Sequence, residues 1–201
     1  MSWLQTLKNY FNPPKVEPTF TDLKLKANGA FSIDTTILIA YDEMLLAPIP
    51  HDLLGRLTVD AIVSETLWGV PRTMIYAEQV MPETSFSIVL ERMDQTSATT
   101  LWLQVEQFYP GTTEEWDRFM SEITDKRAPV DTDTQLAYYS DNVRSVTQVG
   151  KPPFTNIQHE TVWKRDAANG IVELFKIRIV DESVQYWIGY ELSPVNVTVI
   201  Y

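Results

Sequence analysis

Histidine, the side chain that most often acts as a general acid or base, is sparse in this sequence. The chain contains two histidines, His51 and His159. A histidine-dependent mechanism needs a nucleophile or a carboxylate beside the imidazole ring. His51 precedes Asp52 in a proline-rich stretch, and His159 precedes Glu160 in a predicted strand, where neighbouring side chains point to opposite faces. We therefore interpret both histidines as structural or surface residues.

Acidic residues are plentiful, but they form few local groups. Glu114, Glu115 and Asp117 lie where the N-terminus of a predicted helix favours acids. Asp131 and Asp133 would share one face of an extended chain and could hold a hard cation, but the Gly and the distal Glu of a calcium loop are missing. The spacing of acidic residues along the sequence does not reveal a carboxylate pair that distant strands bring together. A carboxylate-based or metal-assisted hydrolase, with acidic residues converging in a pocket, is therefore the alternative hypothesis.

Several familiar chemistries are absent from the sequence. The chain has no cysteine, which excludes disulfides, thiolate nucleophiles and Cys-ligated metals. No Gly-rich phosphate loop, no G-x-S-x-G and no H-E-x-x-H pattern occurs. We predict no catalytic residue, no metal ligand and no cofactor.

The composition indicates an acidic globular protein. Of the 201 residues, 44% are hydrophobic, and the formal net charge is −11. This charge disfavours nucleic-acid binding, because a binder must offer Lys and Arg to displace counterions from phosphates. No apolar run approaches the roughly 20 residues that span a bilayer, and the first residues lack the features of a secretory signal. We expect a cytoplasmic protein.

The elements that must position any site follow a period of two from Ala30 onward, which predicts strands with one buried face. A strand is predicted over residues 31–42. A meander follows over residues 56–109, with a hairpin around Gly69-Val70-Pro71, and a second meander of four strands over residues 157–201.

Between the two meanders the pattern changes to that of a helix over residues 111–126. Thr112 and Glu115 match a capping box, in which the two residues satisfy each other's backbone N–H groups. We predict an α+β fold: mostly antiparallel β-sheet in two meanders, with one or two packed helices. The domain boundaries expected are an N-terminal amphipathic helix (1–14), an irregular lead-in (15–28) and one compact β-rich domain (29–201), with a subdomain break near 124–134 as the alternative.

The opening stretch, MSWLQTLKNYFNPP, has apolar residues at helical spacing and one Lys, Lys8, but no acid. Trp and Leu on one face with Lys on the other are typical of a helix that lies at a membrane surface. Only about 11 residues are available, so the contact would be weak and reversible, and docking on the protein itself is the competing interpretation. The residues proposed for contact with a membrane or partner are Trp3, Leu4, Leu7, Lys8 and Phe11.

Two tryptophans, Trp102 and Trp187, fall on the polar faces of their predicted strands. Aromatic side chains on such a face mark a partner-binding patch, unless a second layer covers that face. The last strand, VNVTVIY, carries no charge, and we expect it to be paired inside the sheet, because an exposed uncharged edge invites aggregation.

The order of these segments resembles the YjfK-like family of bacterial domains of unknown function. The resemblance is carried by the start MSWLQTLKNYF, the central VDAIVSE and TMIYAE followed by LWLQVEQF, and the end YWIGYEL with VNVTVIY. It implies no known activity, catalytic residue or cofactor, and it implies genes that neighbour those of membrane-stress proteins.

The leading hypothesis is a non-catalytic, cytoplasmic interaction protein with an unknown protein partner. Its N-terminal helix would add weak peripheral contact at the inner face of the membrane or with a complex. Besides the hydrolase, the other alternative is a subunit of a larger assembly or oligomer, in which Trp102, Trp187 or the last strand would be buried at an interface.

Overall fold

The fold was analysed in a computed structural model that describes residues 24–40, 45, 49, 55–67, 70–80, 85–93, 99–124, 135–143, 145–150, 157–167 and 170–200. These residues form an eleven-stranded sheet in which every pair of neighbours is antiparallel. The strands are β1 (Ala30–Ile33), β2 (Leu57–Leu67), β3 (Val70–Val80), β4 (Ser85–Arg92), β5 (Thr99–Phe108), β6 (Gln135–Val143), β7 (Ser145–Gly150), β8 (Ile157–Asp166), β9 (Val172–Val180), β10 (Ser183–Leu192) and β11 (Val197–Ile200). The described helices are α1 (Thr36–Ile39), α2 (Thr113–Thr124) and a 3₁₀ turn at Pro194–Asn196.

The sheet order is β11-β1-β2-β3-β4-β5-β10-β9-β8-β6, with β7 paired to β2. Two meanders, β2 to β5 and β8 to β10, are therefore present, and the pairing of β5 with β10 joins them into a single sheet. The predicted hairpin between the first two long strands is confirmed, because Leu67 lies opposite Val70.

The sheet also closes on itself. Strands β6 and β7 are separated in the sequence by Arg144 alone, yet β6 pairs with β8 and β7 pairs with β2. The ring runs from β2 through β3, β4, β5, β10, β9 and β8 to β6 and β7, and back to β2. Strands β1 and β11 extend from the ring, because β1 pairs with β2 only at Leu57 and Thr58.

Along much of the sheet both faces of the strands are buried, which explains its apolar composition. Two outer cores lie outside the ring. The first packs α1 against β1 to β5 and β10, and the second packs α2 against β8 to β10. A third cluster unites side chains from opposite sides of the ring, so these side chains point inward; its largest members are Met74, Tyr76, Trp102 and Trp187.

Helix α2 begins as the capping box predicts. Thr112 Oγ1 accepts a hydrogen bond from the Glu115 N–H at 3.2 Å, and Glu115 Oε2 accepts one from the Thr112 N–H at 3.3 Å. Apolar residues of its inner stripe, Phe119 and Ile123, are buried in the second outer core.

The prediction of an α+β fold is wrong: the described chain is nearly all-β. The 12-residue α2 lies on the outside of the sheet and forms no layer of its own, while α1 is a single turn of four residues. Residues 135–150, to which the sequence pattern assigns no strand, supply two more strands.

Two strand predictions also need correction. The strand expected over residues 31–42 ends at Ile33, because Asp34 Oδ1 accepts a hydrogen bond from the Thr36 N–H at 3.0 Å and the chain turns into α1. The last strand does not extend the second meander: β11 pairs with β1 and has no second strand partner among the described residues.

The N-terminal helix (1–14) and most of the lead-in (15–28) lie outside the described residues, as does most of the proposed break near 124–134. In the described part of the chain, no helix is both long and apolar enough to cross a membrane.

Candidate functional site

Six ionisable residues meet inside the ring. We call them the inner charged cluster: Glu65, Arg72, Glu91, Glu160, Lys176 and Arg178. None is more than 3% exposed. The cluster contains three carboxylates and three cations, so its formal charge sums to zero when all six are ionised. A balanced set is expected here, because a buried charge without a partner costs several kcal/mol.

Strand register brings the nearest partners together. In the β2–β3 hairpin Glu65 lies directly opposite Arg72, and in the β8–β9 pair Glu160 lies directly opposite Arg178. Opposite charges at directly facing positions of an antiparallel pair stabilise that register. Arg72 Nε donates to Glu65 Oε1 at 2.5 Å. Arg178 donates to Glu160 Oε2 through Nε at 2.8 Å and Nη2 at 2.7 Å.

Glu160 also links strands that are not neighbours in the sheet. Its Oε1 accepts a hydrogen bond from Arg72 Nη1 on β3, on the other side of the seam formed by β2, β6 and β7. Lys176 Nζ lies 3.8 Å from Glu160 Oε2. One carboxylate is thus shared by three cations, and it ties β8 to β3 across the interior.

Lys176 makes a second link across the ring. Its Nζ donates to Glu91 Oε2 on β4 at 2.6 Å and lies 3.8 Å from the ring centroid of Trp102 on β5. The ammonium group is therefore held by a carboxylate and by the face of an indole, which attracts cations. Arg72 Nη1 is a further 3.8 Å neighbour of Glu91 Oε2.

Burial and pairing shift the pKa values in the cluster. Burial alone would raise the pKa of Glu160, but Arg72, Lys176 and Arg178 outweigh it and hold that pKa well below its usual range. Burial lowers the pKa of Lys176 to about 8, against the opposing effects of Glu160 and Glu91. Burial raises the pKa of Glu65, and Arg72 only partly offsets it. The amine of Lys176 is thus easier to deprotonate than an ordinary lysine.

The inner charged cluster offers little for catalysis. All three carboxylates are buried and paired with cations, whereas a general acid or base must reach a substrate. No group of three or more His, Asp or Glu side chains in the described part of the chain could hold a metal ion. The alternative hypothesis of a carboxylate-based or metal-assisted hydrolase therefore gains no support from the carboxylates that converge here.

A second region with unusual features is the C-terminal end of β5, residues Gln104 to Tyr109, which we call the exposed end of β5. Strand β4 pairs with β5 only as far as Ile88 and Leu103, while β10 remains paired with β5 up to Phe108. Within this stretch the register to β10 shifts, which leaves Val105 as the extra residue of a β-bulge.

Large apolar side chains are exposed in this region. Val105 is 60% exposed and Tyr109 is 66% exposed. Side chains of this region are joined by hydrogen bonds: Gln107 Nε2 donates to Tyr109 Oη at 2.8 Å and to Ser183 Oγ at 3.0 Å. Gln104 Nε2 donates to Gln107 Oε1 at 3.1 Å. The exposed end of β5 is therefore an anchored surface that carries apolar groups.

The structure places the predicted contact residues Trp102 and Trp187 inside the ring, where they are 1% and 3% exposed. The indole N–H of Trp187 donates to Gln185 Oε1 at 3.2 Å, and Trp102 lies under Lys176. The polar face inferred from the sequence is thus the inner face of the closed sheet, and a partner cannot reach either indole in this arrangement.

Of the remaining candidate residues singled out in the sequence, the structure describes His159. His159 lies on β8 opposite Asp141, half-buried, and its side chain points to the other face from Glu160. The other candidate residues singled out in the sequence lie outside the described residues: Trp3, Leu4, Leu7, Lys8, Phe11, His51, Asp131 and Asp133.

Sequence reasoning missed the inner charged cluster, although part of a signal was present. Lys176 and Arg178 alternate with Phe175, Ile177 and Ile179 in a strand with almost no exposed position. Charges at alternate positions of a strand predict a solvent-facing side when the sheet is open.

Comparison with known proteins finds no family model, no curated protein and no solved structure that matches this chain. The resemblance to the YjfK-like family therefore stays a prediction.

Proposed function

We propose that the protein is a non-catalytic interaction protein that binds a protein partner through the exposed end of β5. One observation carries this proposal: Val105 and Tyr109 expose large apolar side chains at a strand end that has lost its pairing to β4. Exposed apolar groups on an unpaired strand end are characteristic of sites where another chain binds.

The proposed setting is the cytoplasm, with weak contact at the inner face of the membrane through the N-terminal stretch. Its support is the sequence pattern of Trp3, Leu7 and Phe11 with Lys8. Co-sedimentation with anionic liposomes tests this part, by comparing the full chain with a chain that starts at Lys15. Release of the full chain by salt, with no sedimentation of the shorter chain, is expected. Equal behaviour of the two chains would contradict membrane contact.

The partner-binding proposal is tested by photo-cross-linking in cells that produce the protein. A photoreactive phenylalanine is placed at position 105, at position 109 and, as the control, at position 195. Val195 is 84% exposed in the 3₁₀ turn, so it reports on random collisions at an equally accessible apolar position. A discrete adduct from positions 105 and 109 that is absent from position 195 is expected. The same products from all three positions, or none from 105 and 109, would refute the proposal.

A further inference from the structure

We infer that the partner presents a basic, extended segment, which adds as a strand to the free edge of β5 between Gln104 and Phe108. The inference rests on the proposed function and specifies the chemistry of the partner and the mode of binding. It also gives the divergence of β4 from β5 a role.

Two strand edges face each other where β4 and β5 separate. Beyond the pair Ile88–Leu103, β4 continues to Ser85 and remains bonded to β3, while β5 continues to Phe108 and remains bonded to β10. Each strand therefore keeps one partner and loses the other. Among the described strands, none pairs with this edge of β5. A row of unpaired backbone N–H and C=O groups is the template to which an extended peptide adds.

The bulge at Val105 explains why the edge is free. An extra residue on one strand bends that strand and increases its twist, so a neighbour on the other side loses register. Here the register to β10 shifts between Gln104 and Glu106, at the place where pairing to β4 stops. The opening is thus built into the sequence of β5 and does not depend on a partner to form it.

Charge decides which kind of segment fits. Glu106 is exposed on the edge itself, and the chain has 27 acidic residues against 16 Lys and Arg. The whole protein carries −11. A second copy of this chain would bring Glu106 against an equally acidic surface, and like charges at facing strand positions are unfavourable. Lys and Arg in the incoming segment would instead complement these acids and accelerate association.

The experiment measures binding of a short synthetic peptide that alternates Lys with Val and Thr, by fluorescence anisotropy on the full chain. The comparison peptide carries Glu in place of each Lys. The variants are Glu106→Lys and, as the matched control, Glu191→Lys, which changes an exposed Glu on β10. Hydrogen exchange of residues 104–108 reports whether the bound peptide pairs with the edge.

Binding of the Lys peptide alone, weakened by salt, with slower exchange at residues 104–108, is expected. Glu106→Lys should weaken binding roughly three- to tenfold, since it removes one attraction and adds one repulsion, whereas Glu191→Lys should leave it unchanged. If Glu106→Lys fails to fold, Tyr109→Lys takes its place. Equal binding of both peptides, unchanged exchange, or a dimer that Glu106→Lys disperses would overturn the inference. A cross-link from position 105 without peptide binding would leave the proposed function standing and remove only this mode of binding.

Discussion

The interior of the ring and the exposed end of β5 invert the usual distribution of polarity. Inside, three carboxylates and three cations are buried beside Trp102 and Trp187. Outside, Val105 and Tyr109 place apolar surface in water on a protein that is otherwise strongly acidic. Every ionic group of the cluster has a partner, whereas the apolar side chains at β5 lie where a strand pairing ends.

The difference separates what holds the fold from what is available to a partner. Replacing a complete buried ion network with apolar residues is often neutral, but removing one member leaves an uncompensated charge. The cluster therefore favours the strands that face each other across the ring, because Glu160 pairs with Arg72 and Lys176 pairs with Glu91. The side chains of Val105 and Tyr109 at the exposed end of β5 are mostly in water, so we expect them to tolerate substitution without loss of the fold.

Removal of the shared carboxylate should have the largest effect. Glu160→Gln leaves Arg72, Lys176 and Arg178 buried with less compensation, and we expect the free energy of unfolding to fall by about 3–5 kcal/mol. Urea denaturation measures the change. Glu191→Gln, at an exposed position, should stay within about 0.5 kcal/mol of the parent. A loss below about 1 kcal/mol for Glu160→Gln would show that the cluster does not specify the interior.

Crowding the interior should cost less. A Cβ atom at Gly189 would lie 2.6 Å from two ring carbons of Trp102. Gly189→Ala should therefore lower the free energy of unfolding by about 1–3 kcal/mol, because overpacking displaces the indole from its position under Lys176. In Gly111→Ala the nearest atom, Glu115 Oε2, is 3.8 Å away, so this control should be close to neutral or slightly stabilising. Similar losses in the two variants would argue against a tightly packed interior.

The titration of Lys176 predicts a pH dependence with a defined sign. Its pKa is about 8 in the folded chain and 10.5 as the reference value. Between these values the unfolded chain binds more protons, so the free energy of unfolding rises with pH, by up to about 1.4 kcal/mol per unit. Below about pH 8 Lys176 is protonated in both the folded and the unfolded chain, so it adds no slope there.

Urea denaturation between about pH 8 and pH 10 measures that slope. Lys176→Arg should remove this share of it, because a guanidinium stays protonated throughout the range. Lys164→Arg, exposed on β8, is the control and should retain it. An unchanged slope in Lys176→Arg would mean that Lys176 does not titrate in this range.

The helix beside the exposed end of β5 should respond more weakly. Thr112→Ala removes the side-chain acceptor of the Glu115 N–H, and we expect a loss of about 1 kcal/mol. Thr113→Ala, at the first helical residue, should change stability by a few tenths of a kcal/mol. Equal losses in the two variants would contradict a role for the capping box.

The smallest effect on stability is expected at the apolar surface itself. Val105→Lys should shift the free energy of unfolding by less than about 0.5 kcal/mol, because the side chain is 60% exposed. Cross-linking from position 109 should nevertheless be lost in this variant. Destabilisation comparable to that of Glu160→Gln would mean that Val105 belongs to the core, and the contrast between the two regions would fail.

Local patterns were sufficient for the elements formed by neighbouring segments. The hairpin of β2 and β3, strands β4 and β5, and the start of α2 at Thr112 were all predicted, since alternation, turn residues and capping are read within a few positions. Non-local pairings were missed. The sequence of residues 145–150 does not identify β2 as their partner strand, and that of residues 197–200 does not identify β1, because any strand edge offers the same backbone groups.

Closure of the sheet explains the largest error about the site. Alternation placed Trp102 on one face with Gln104, and Trp187 on one face with Gln185, which is correct, but alternation does not reveal whether that face points to solvent or inward. Lys176 and Arg178 carry the same ambiguity. The carboxylate that pairs with Lys176, Glu91, lies on β4, which is not a neighbour of β9, so this match becomes visible only when the ring is closed.

The closing pairs have a consequence for how the chain reaches its native state. Ile62 lies opposite Val149, and Ala30 lies opposite Ile200, so the first described strands pair with segments that are far away in the sequence. Contacts of such high sequence separation slow folding, because the chain entropy of a long loop is lost before the contact forms. We therefore expect refolding in the slow range of β-rich proteins. The edges of β1 and β2 would stay open to non-native pairing until β11 and β7 pair with them.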